Sequence, residues 1–268
     1  MKKETKLRKK ELLATLGEEP QLIIDDAPFE YIEAFKELRT NLNFVASQNK
    51  AEGKCWKIIV TSSVPGEGKS TTAINVALSL VQSKYKVLLV DADMRNPVLR
   101  KYLRLQQESE TGLSALLNND IKISDCLTRT QYGVDVIANG PTPPNPAELI
   151  KSDAMQSLLK GAESHYDYII FDTPPVGVIT DAAALSPLCD GVLYVVRHSY
   201  ASKKLVNNAL QKLQMVDAKI LGVVMTQYEI PKHTGRRYGR YSKKYRYGYG
   251  YGYGYGYGYG YGKQPENK

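Results

Sequence analysis

Four groups of residues in this chain have the types and spacing for phosphate chemistry. The first is the run Ser63-Val64-Pro65-Gly66-Glu67-Gly68-Lys69-Ser70-Thr71-Thr72. Its glycines allow a turn tight enough for backbone N–H groups to converge on an anion. Lys69 follows to neutralise β/γ charge, and the Ser70 hydroxyl stands beside it for Mg²⁺. This reading assigns Val64, Pro65, Gly66, Glu67, Gly68, Lys69, Ser70 and Thr71 to nucleotide binding. The second group is the pair Asp91 and Asp93, behind Val87-Leu88-Leu89-Val90, and the third is Asp172, behind Tyr168-Ile169-Ile170-Phe171. Asp172 would hold Mg²⁺, in part through water. One of the pair would support the metal shell, and the other would accept a proton from the incoming nucleophile. The metal set is then Ser70, Asp91 and Asp172, with Asp93 on the nucleophile's side, although little in the spacing separates Asp91 from Asp93. The fourth group supplies that nucleophile. Tyr238, Tyr241, Tyr245, Tyr247, Tyr249, Tyr251, Tyr253, Tyr255, Tyr257, Tyr259 and Tyr261 are 11 of the chain's 20 tyrosines. Their phenols are candidate phosphoacceptors.

These side chains need a scaffold that brings strand ends together. Ile58–Ser62 is a β-branched run entering the glycine turn, and the apolar-periodic stretch Ser70–Ser83 leaves it as a helix. The continuous apolar run at Val87–Val90 reads as a buried parallel strand, and Tyr168–Phe171, Gly191–Val196 and Lys219–Thr226 read as further strands. Val134–Ala138 reads as another. Helical stretches at 112–117, 124–127, 147–150, 153–164, 182–185 and 203–215 alternate with them. The pattern predicts an α/β fold of the P-loop NTPase type, a mostly parallel sheet with helices on both faces and its ligand at the strands' C-terminal ends. Phe29, Ile32, Phe35, Leu38, Leu42 and Val45 recur at helical spacing, so 29–48 is an amphipathic helix. On an adjoining face Glu33, Lys36 and Arg39 form either an internal ion-pair ladder or a subunit interface.

Charge divides the chain. Residues 1–10 carry +5 and residues 231–268 carry +8, so of the net +8 the stretch 11–230 holds −5. Residues 1–28 read as a mobile arm with one short helix near Lys9–Leu16, 29–230 as the catalytic domain, and 231–268 as a flexible tyrosine-rich tail. Eight Tyr-Gly pairs fill 247–262 without one aliphatic residue, too little to build a core. The basic ends favour an acidic partner. Cys55, Cys126 and Cys189 lack metal or disulfide spacing, which fits a reducing cytoplasm. No apolar run approaches the roughly 18 residues of a membrane span, so membrane attachment must come from a partner.

No His-Arg-Asp loop, Asp-Phe-Gly or Val-Ala-Ile-Lys element of eukaryotic-type protein kinases is present. With Ser63–Thr71 as Walker A, Leu88–Pro97 as Walker A′, Ile169–Pro175 as Walker B and the tyrosine tail, the chain resembles the bacterial tyrosine kinases of capsule and exopolysaccharide assembly. Glu33-Ala34-Phe35-Lys36-Glu37-Leu38-Arg39 resembles that family's N-terminal interface helix, with Lys36 in place of the usual arginine. Thr226-Gln227 stand where a base-reading asparagine is expected. The resemblance implies ATP and Mg²⁺ as cofactors and autophosphorylation of the tail between subunits. It implies a homo-oligomeric ring, with an octamer as the candidate size, joined through Glu33, Lys36 and Arg39. It also implies a transmembrane adaptor of the polysaccharide co-polymerase type that holds the kinase at the inner membrane face, a cognate tyrosine phosphatase, and no nucleic-acid partner. The alternative is a partition or cell-division-site ATPase of the same superfamily. Those carry an early loop lysine, where this chain has Val64-Pro65-Gly66.

Overall fold

Alternation along the strands decides where the layers form. The computed structural model describes residues 20–24, 27–49, 54–106 and 110–228. The arm helix near Lys9–Leu16 and all eleven candidate acceptor tyrosines lie outside them. In β1 (Trp56–Ser62) every residue is buried. Trp56, Ile58 and Val60 enter one core with Leu42 and Ala46 of α1 (Phe29–Asn49) and with Ile74 and Ala77 of α2 (Lys69–Gln82). Ile59 points the other way, into a second core with Met155 and Leu159 of α7 (Asp153–Ala162) and with Leu213 of α9 (Lys203–Gln214). Side chains that alternate across a strand therefore feed helices on both faces.

The other strands are β2 (Val87–Asp91), β3 (Leu127–Arg129), β4 (Asp135–Ile137), β5 (Tyr168–Asp172), β6 (Gly191–Arg197) and β7 (Ile220–Thr226). Their order is β3-β4-β2-β5-β1-β6-β7. Every neighbour pair is parallel except β3–β4. The predicted mostly parallel α/β sheet is therefore observed. β3 is a three-residue antiparallel edge strand, too short to carry a period, and the sequence reading missed it. It also missed the one-turn helix α3 (Leu99–Tyr102). The remaining helices are α4 (Leu113–Leu117), α5 (Ile123–Cys126), α6 (Pro146–Ile150) and α8 (Asp181–Leu185), the last followed by a 3₁₀ turn at Ser186–Leu188.

α1 is fastened to the body by polar contacts as well as by its apolar face. Tyr168 donates its hydroxyl to Asn43 Oδ1 at 2.6 Å. Arg39 donates to the Ser79 carbonyl at 2.7 Å and to its hydroxyl at 3.1 Å. Lys36 and Glu33 pair with each other at 2.7 Å on a half-exposed face. So the proposed ladder exists only in its first rung, and Arg39 is turned inward onto α2. Residues 20–24, read from the sequence as arm, dock on the same layer. Ile23 is buried, and its N–H donates to Asn75 Oδ1 at 2.9 Å. A strand-like apolar triplet that finds a buried partner no longer behaves as a free terminus.

Candidate active site

β1 ends at Ser62, and the chain turns through Gly66 and Gly68 at φ of +84° and +90° before α2 begins. Both are left-handed backbone that glycine adopts without a Cβ penalty. No side chain caps α2 at Gly68. Its first-turn N–H groups are left for an anion. Glu67 is completely buried and points back into the loop. Its Oε2 accepts from the N–H groups of Ser63 and Val64 at 2.7 and 2.8 Å. Among the residues read as nucleotide-binding, then, Glu67 shapes the loop from within. Ser63, where the usual pattern has glycine, is tolerated because its hydroxyl bonds Tyr194 Oη at 2.7 Å. The close backbone approach occurs instead at Gly177, where a Cβ would stand 2.1 Å from the Ser63 carbonyl.

Two further side chains reach the loop from β6 and its exit. Arg197 donates to the Gly66 carbonyl at 3.3 Å, and its guanidinium lies 4.6 Å from the Tyr200 ring centroid. Thr226, at the end of β7, donates to the Glu67 carbonyl at 2.7 Å. Its hydroxyl therefore braces the loop from the far strand. A Cβ on Gly66 would meet Tyr200 Oη at 2.8 Å. Gly66→Ala thus adds left-handed strain and obliges the half-exposed Tyr200 ring to shift. Nucleotide affinity in a calorimetric titration should fall roughly tenfold, the cost of about 1–2 kcal/mol of backbone strain.

The carboxylates meet Lys69 at the sheet's C-terminal edge. Asp91 and Asp172 are register partners on neighbouring parallel strands, so the topology places them side by side. Lys69 Nζ lies 2.9 Å from Asp93 Oδ2, 3.6 Å from Asp172 Oδ1 and 3.2 Å from Ser70 Oγ. Asp93 has both oxygens engaged, since its Oδ1 accepts from the Asn96 N–H at 3.0 Å. Asp91 Oδ2 accepts from the Leu99 N–H at 3.3 Å. Asp91 Oδ1 and both Asp172 oxygens are buried without a hydrogen bond. The predicted quartet Lys69, Asp91, Asp93 and Asp172 is thus brought to one place.

The electrostatics follow from that burial. Desolvation pushes the Asp91 carboxyl well above its ordinary value, and the neighbouring Asp172 charge pushes it further. Burial likewise raises Asp172, against the pull of Lys69. For Lys69, burial disfavours the charge, but Asp172 and Asp93 outweigh it, and its value is raised. The lysine is a fixed cation among three carboxylates.

The donor set fits a magnesium ion. Orphaned oxygens on Asp172 and Asp91 lie beside the Ser70 hydroxyl's loop. They belong to carboxylates paired across neighbouring strand ends. That is the pattern for a small hard cation bound by one or two carboxylates, water and substrate phosphate.

Residues 56–221 match the family described as AAA domain. The tyrosine-protein kinase YwqD of Bacillus subtilis (strain 168) is 35% identical over 213 residues, covering 79% of this chain and 86% of that one. The tyrosine-protein kinase CpsD of Streptococcus agalactiae is 33% identical over 215 residues, 80% and 91% of the two chains. This chain belongs to the bacterial tyrosine-protein kinases. Among solved structures, the kinase domain of the Escherichia coli tyrosine kinase ETK superposes with a TM-score of 0.67 at 31% identity, covering 76% of this chain and 80% of that one. The chimerical protein CapA2B2 gives 0.67 at 38% identity, with 72% and 83% covered. The fold alone extends to a cobyrinic acid a,c-diamide synthase solved with an ATP analogue and magnesium, at 20% identity and a TM-score of 0.58.

Some of the kinase's site residues escaped sequence reading. Arg197 and Tyr194 come from β6 and Tyr200 from the turn after it, with no motif of their own, and Thr226, noted only for the base-reading position, is revealed as a loop brace by the structure alone. Asp181 is fully buried at the start of α8. It accepts from Arg95 Nε at 3.3 Å, which ties the Walker A′ segment to the layer behind it. Asp181 offered no signal beyond an acidic residue at a helix start. Glu33, Lys36 and Arg39 lie on α1, away from the quartet's contacts. No helix among the described residues is long and apolar enough to cross a membrane.

Proposed function

We propose that this kinase uses Mg²⁺ and ATP to phosphorylate the tyrosines between Tyr238 and Tyr261 of a neighbouring copy. The observation that carries this is the buried quartet around Lys69, on a chain whose own tail holds 11 phenols. The loop N–H groups and Lys69 bind the β/γ-phosphates. Ser70 and Asp172 would hold the metal, which supplies charge neutralisation on those phosphates. The tyrosine oxygen forms its bond to Pγ as the Pγ–O–Pβ bond breaks and ADP leaves. The phenolic proton passes to a carboxylate.

Asp91 suits that last role better than Asp93, reversing the order favoured from sequence. Asp91 has an open buried oxygen and a raised proton affinity, whereas Asp93 is engaged at both oxygens. The setting of the reaction is proposed with it. It comprises capsular or exopolysaccharide polymerisation and export, a membrane adaptor that holds the kinase at the inner face, a ring of copies before phosphorylation, and a phosphatase that resets it. The half-exposed Lys36–Glu33 face of α1 is the ring surface in this reading.

The test is a phosphosite map. The full chain is incubated with Mg²⁺-ATP, with and without the adaptor's cytoplasmic segment, and digested for mass spectrometry. Phosphotyrosine confined to 238–261 is expected. ATP consumption without phosphotyrosine there would favour the switch ATPase. Native mass measured before ATP is added tests the ring, and a monomer at micromolar concentration would remove it.

A further inference from the structure

An open groove of about 600 Å³ is lined by Pro97, Arg100, Lys101, Arg104, Asn139 and Gly140 among others. Three cations and no carboxylate line it, on a body that is otherwise acidic. Its floor is built. Gly112 packs so tightly on Gly140 that a Cβ would come within 2.2 Å of the Gly140 nitrogen. The Leu113 and Ser114 N–H groups donate to the Ala138 and Asn139 carbonyls at 2.7 and 2.9 Å.

Its wall is α3 and the turn after it. The Leu105 N–H closes that turn on the Arg100 carbonyl at 3.0 Å, with Arg104 at φ +51°. That is the position after a helix where glycine sits without cost. An arginine held there brings a third cation to the groove. Arg100 is itself anchored, donating from Nη2 to the Thr111 carbonyl at 3.1 Å.

The groove is joined to the chemistry through the backbone. Leu99, whose N–H bonds Asp91, immediately precedes Arg100. Asn96, whose N–H bonds Asp93, immediately precedes Pro97. Two residues that line the groove thus follow directly on the two whose N–H groups hold the carboxylates. The unmodified tail region carries +8, the same sign as this wall. Each phosphotyrosine adds about −1.5 to −2 of charge and three acceptor oxygens suited to arginine. In an extended chain a Tyr-Gly repeat advances about 7 Å per tyrosine, with successive tyrosines on one face. A groove of this charge would favour the product of one transfer over the unmodified tail.

We propose that this groove is a phosphotyrosine subsite. It takes a phosphate already placed on a second copy's tail and makes tail phosphorylation a run of successive transfers. This rests on the tail-phosphorylation reading above, so its test uses binding without turnover.

Full-length, phosphatase-treated kinase is titrated without ATP into labelled peptides spanning residues 245–262, one unmodified and one phosphorylated at Tyr249. The phosphopeptide should bind about tenfold more tightly. Lys101→Glu with Arg104→Glu should erase the difference, and Lys101→Arg with Arg104→Lys should keep it. Equal affinities of the two peptides for the unmutated kinase would overturn the subsite, as would a difference that survives charge reversal. Displacement of the phosphopeptide by stoichiometric ADP would also overturn it, by moving the contact to the P-loop. In a time course with Mg²⁺-ATP, intact masses should show multiply phosphorylated chains beside unmodified ones. A strictly one-by-one distribution would count against successive transfer. Because the peptides are synthetic, a kinase that failed to label its tail would still give a clear binding result.

Discussion

Lys69→Met should remove phosphotyrosine from the tail, lowering the transfer rate by at least about 10²–10³, the range for deleting one preorganised charge-stabilising donor. The same substitution should also weaken the ligand-free fold. Lys69 is the only cation the structure pairs with Asp93 and Asp172 among the described residues, at 2.9 and 3.6 Å in a buried site. Removing one member of a buried pair typically costs about 3–5 kcal/mol, an upper bound here because the stranded carboxyls can take up protons. Lysine's raised value means that its contribution is complete below its ordinary pKa of 10.5 and is lost as pH rises through the folded-state value. The deficit in the variant should shrink toward acid, where the carboxylates protonate. Thermal melts across pH, set beside tail phosphorylation at 20 °C, separate the two effects. A variant that still labels residues 238–261 would move the reaction away from this loop.

The scaffold was legible because its signals are long or obligatory. Val87–Val90 and Tyr168–Phe171 are continuous apolar runs, and only a strand buried on both faces tolerates such runs. Each delivers an aspartate to the same sheet edge, so the meeting of Asp91 and Asp172 followed once both strands were read as parallel neighbours. Lys69 and the two glycines at positive φ are demanded by the turn itself. The rest depended on distance in sequence. Thr226 braces Glu67 across 159 positions and Arg197 meets Gly66 across 131, and neither carries a pattern that names its partner. Glu67 looked like one more loop residue. Its burial, accepting two N–H groups, is invisible without the turn's shape. The inward turn of Arg39 onto Ser79 was equally hidden, since helical spacing gives a face but not what the face meets. The groove beside α3 escaped for the same reason. Arg100, Lys101 and Arg104 carry no pattern of their own in the sequence, and the left-handed turn at Arg104 sets them around one groove with Gly140.

Asp91→Asn should move activity and stability in opposite directions. Activity should fall by about 10²–10⁴, the range for losing a positioned proton acceptor. The ligand-free fold should gain about 1–2 kcal/mol. In the native chain Asp91 Oδ2 accepts from Leu99 while Oδ1 is buried with no hydrogen bond, on the strand next to Asp172. An asparagine keeps the Leu99 contact through its carbonyl and turns an N–H₂ toward the neighbouring carboxylate. The pH dependence fixes the sign. Because burial raises the folded-state value of Asp91, the native chain binds that proton more tightly than the unfolded chain does. Stability is therefore greatest below the ordinary carboxylate value of 3.8 and falls as pH rises toward the folded-state value, where it levels off. The variant lacks that fall, so its advantage in chemical denaturation should grow across the same window and then stay constant. Added Mg²⁺-ATP should narrow the gap, since a ligand that needs the carboxylate stabilises the native chain more. A variant that is less stable at neutral pH would mean that the Asp91 charge is already compensated in the fold. Full activity in Asp91→Asn with none in Asp93→Asn would instead make Asp93 the group that takes the phenol's proton. In that case the Lys69–Asp93 contact of the ligand-free chain must open before the tyrosine enters.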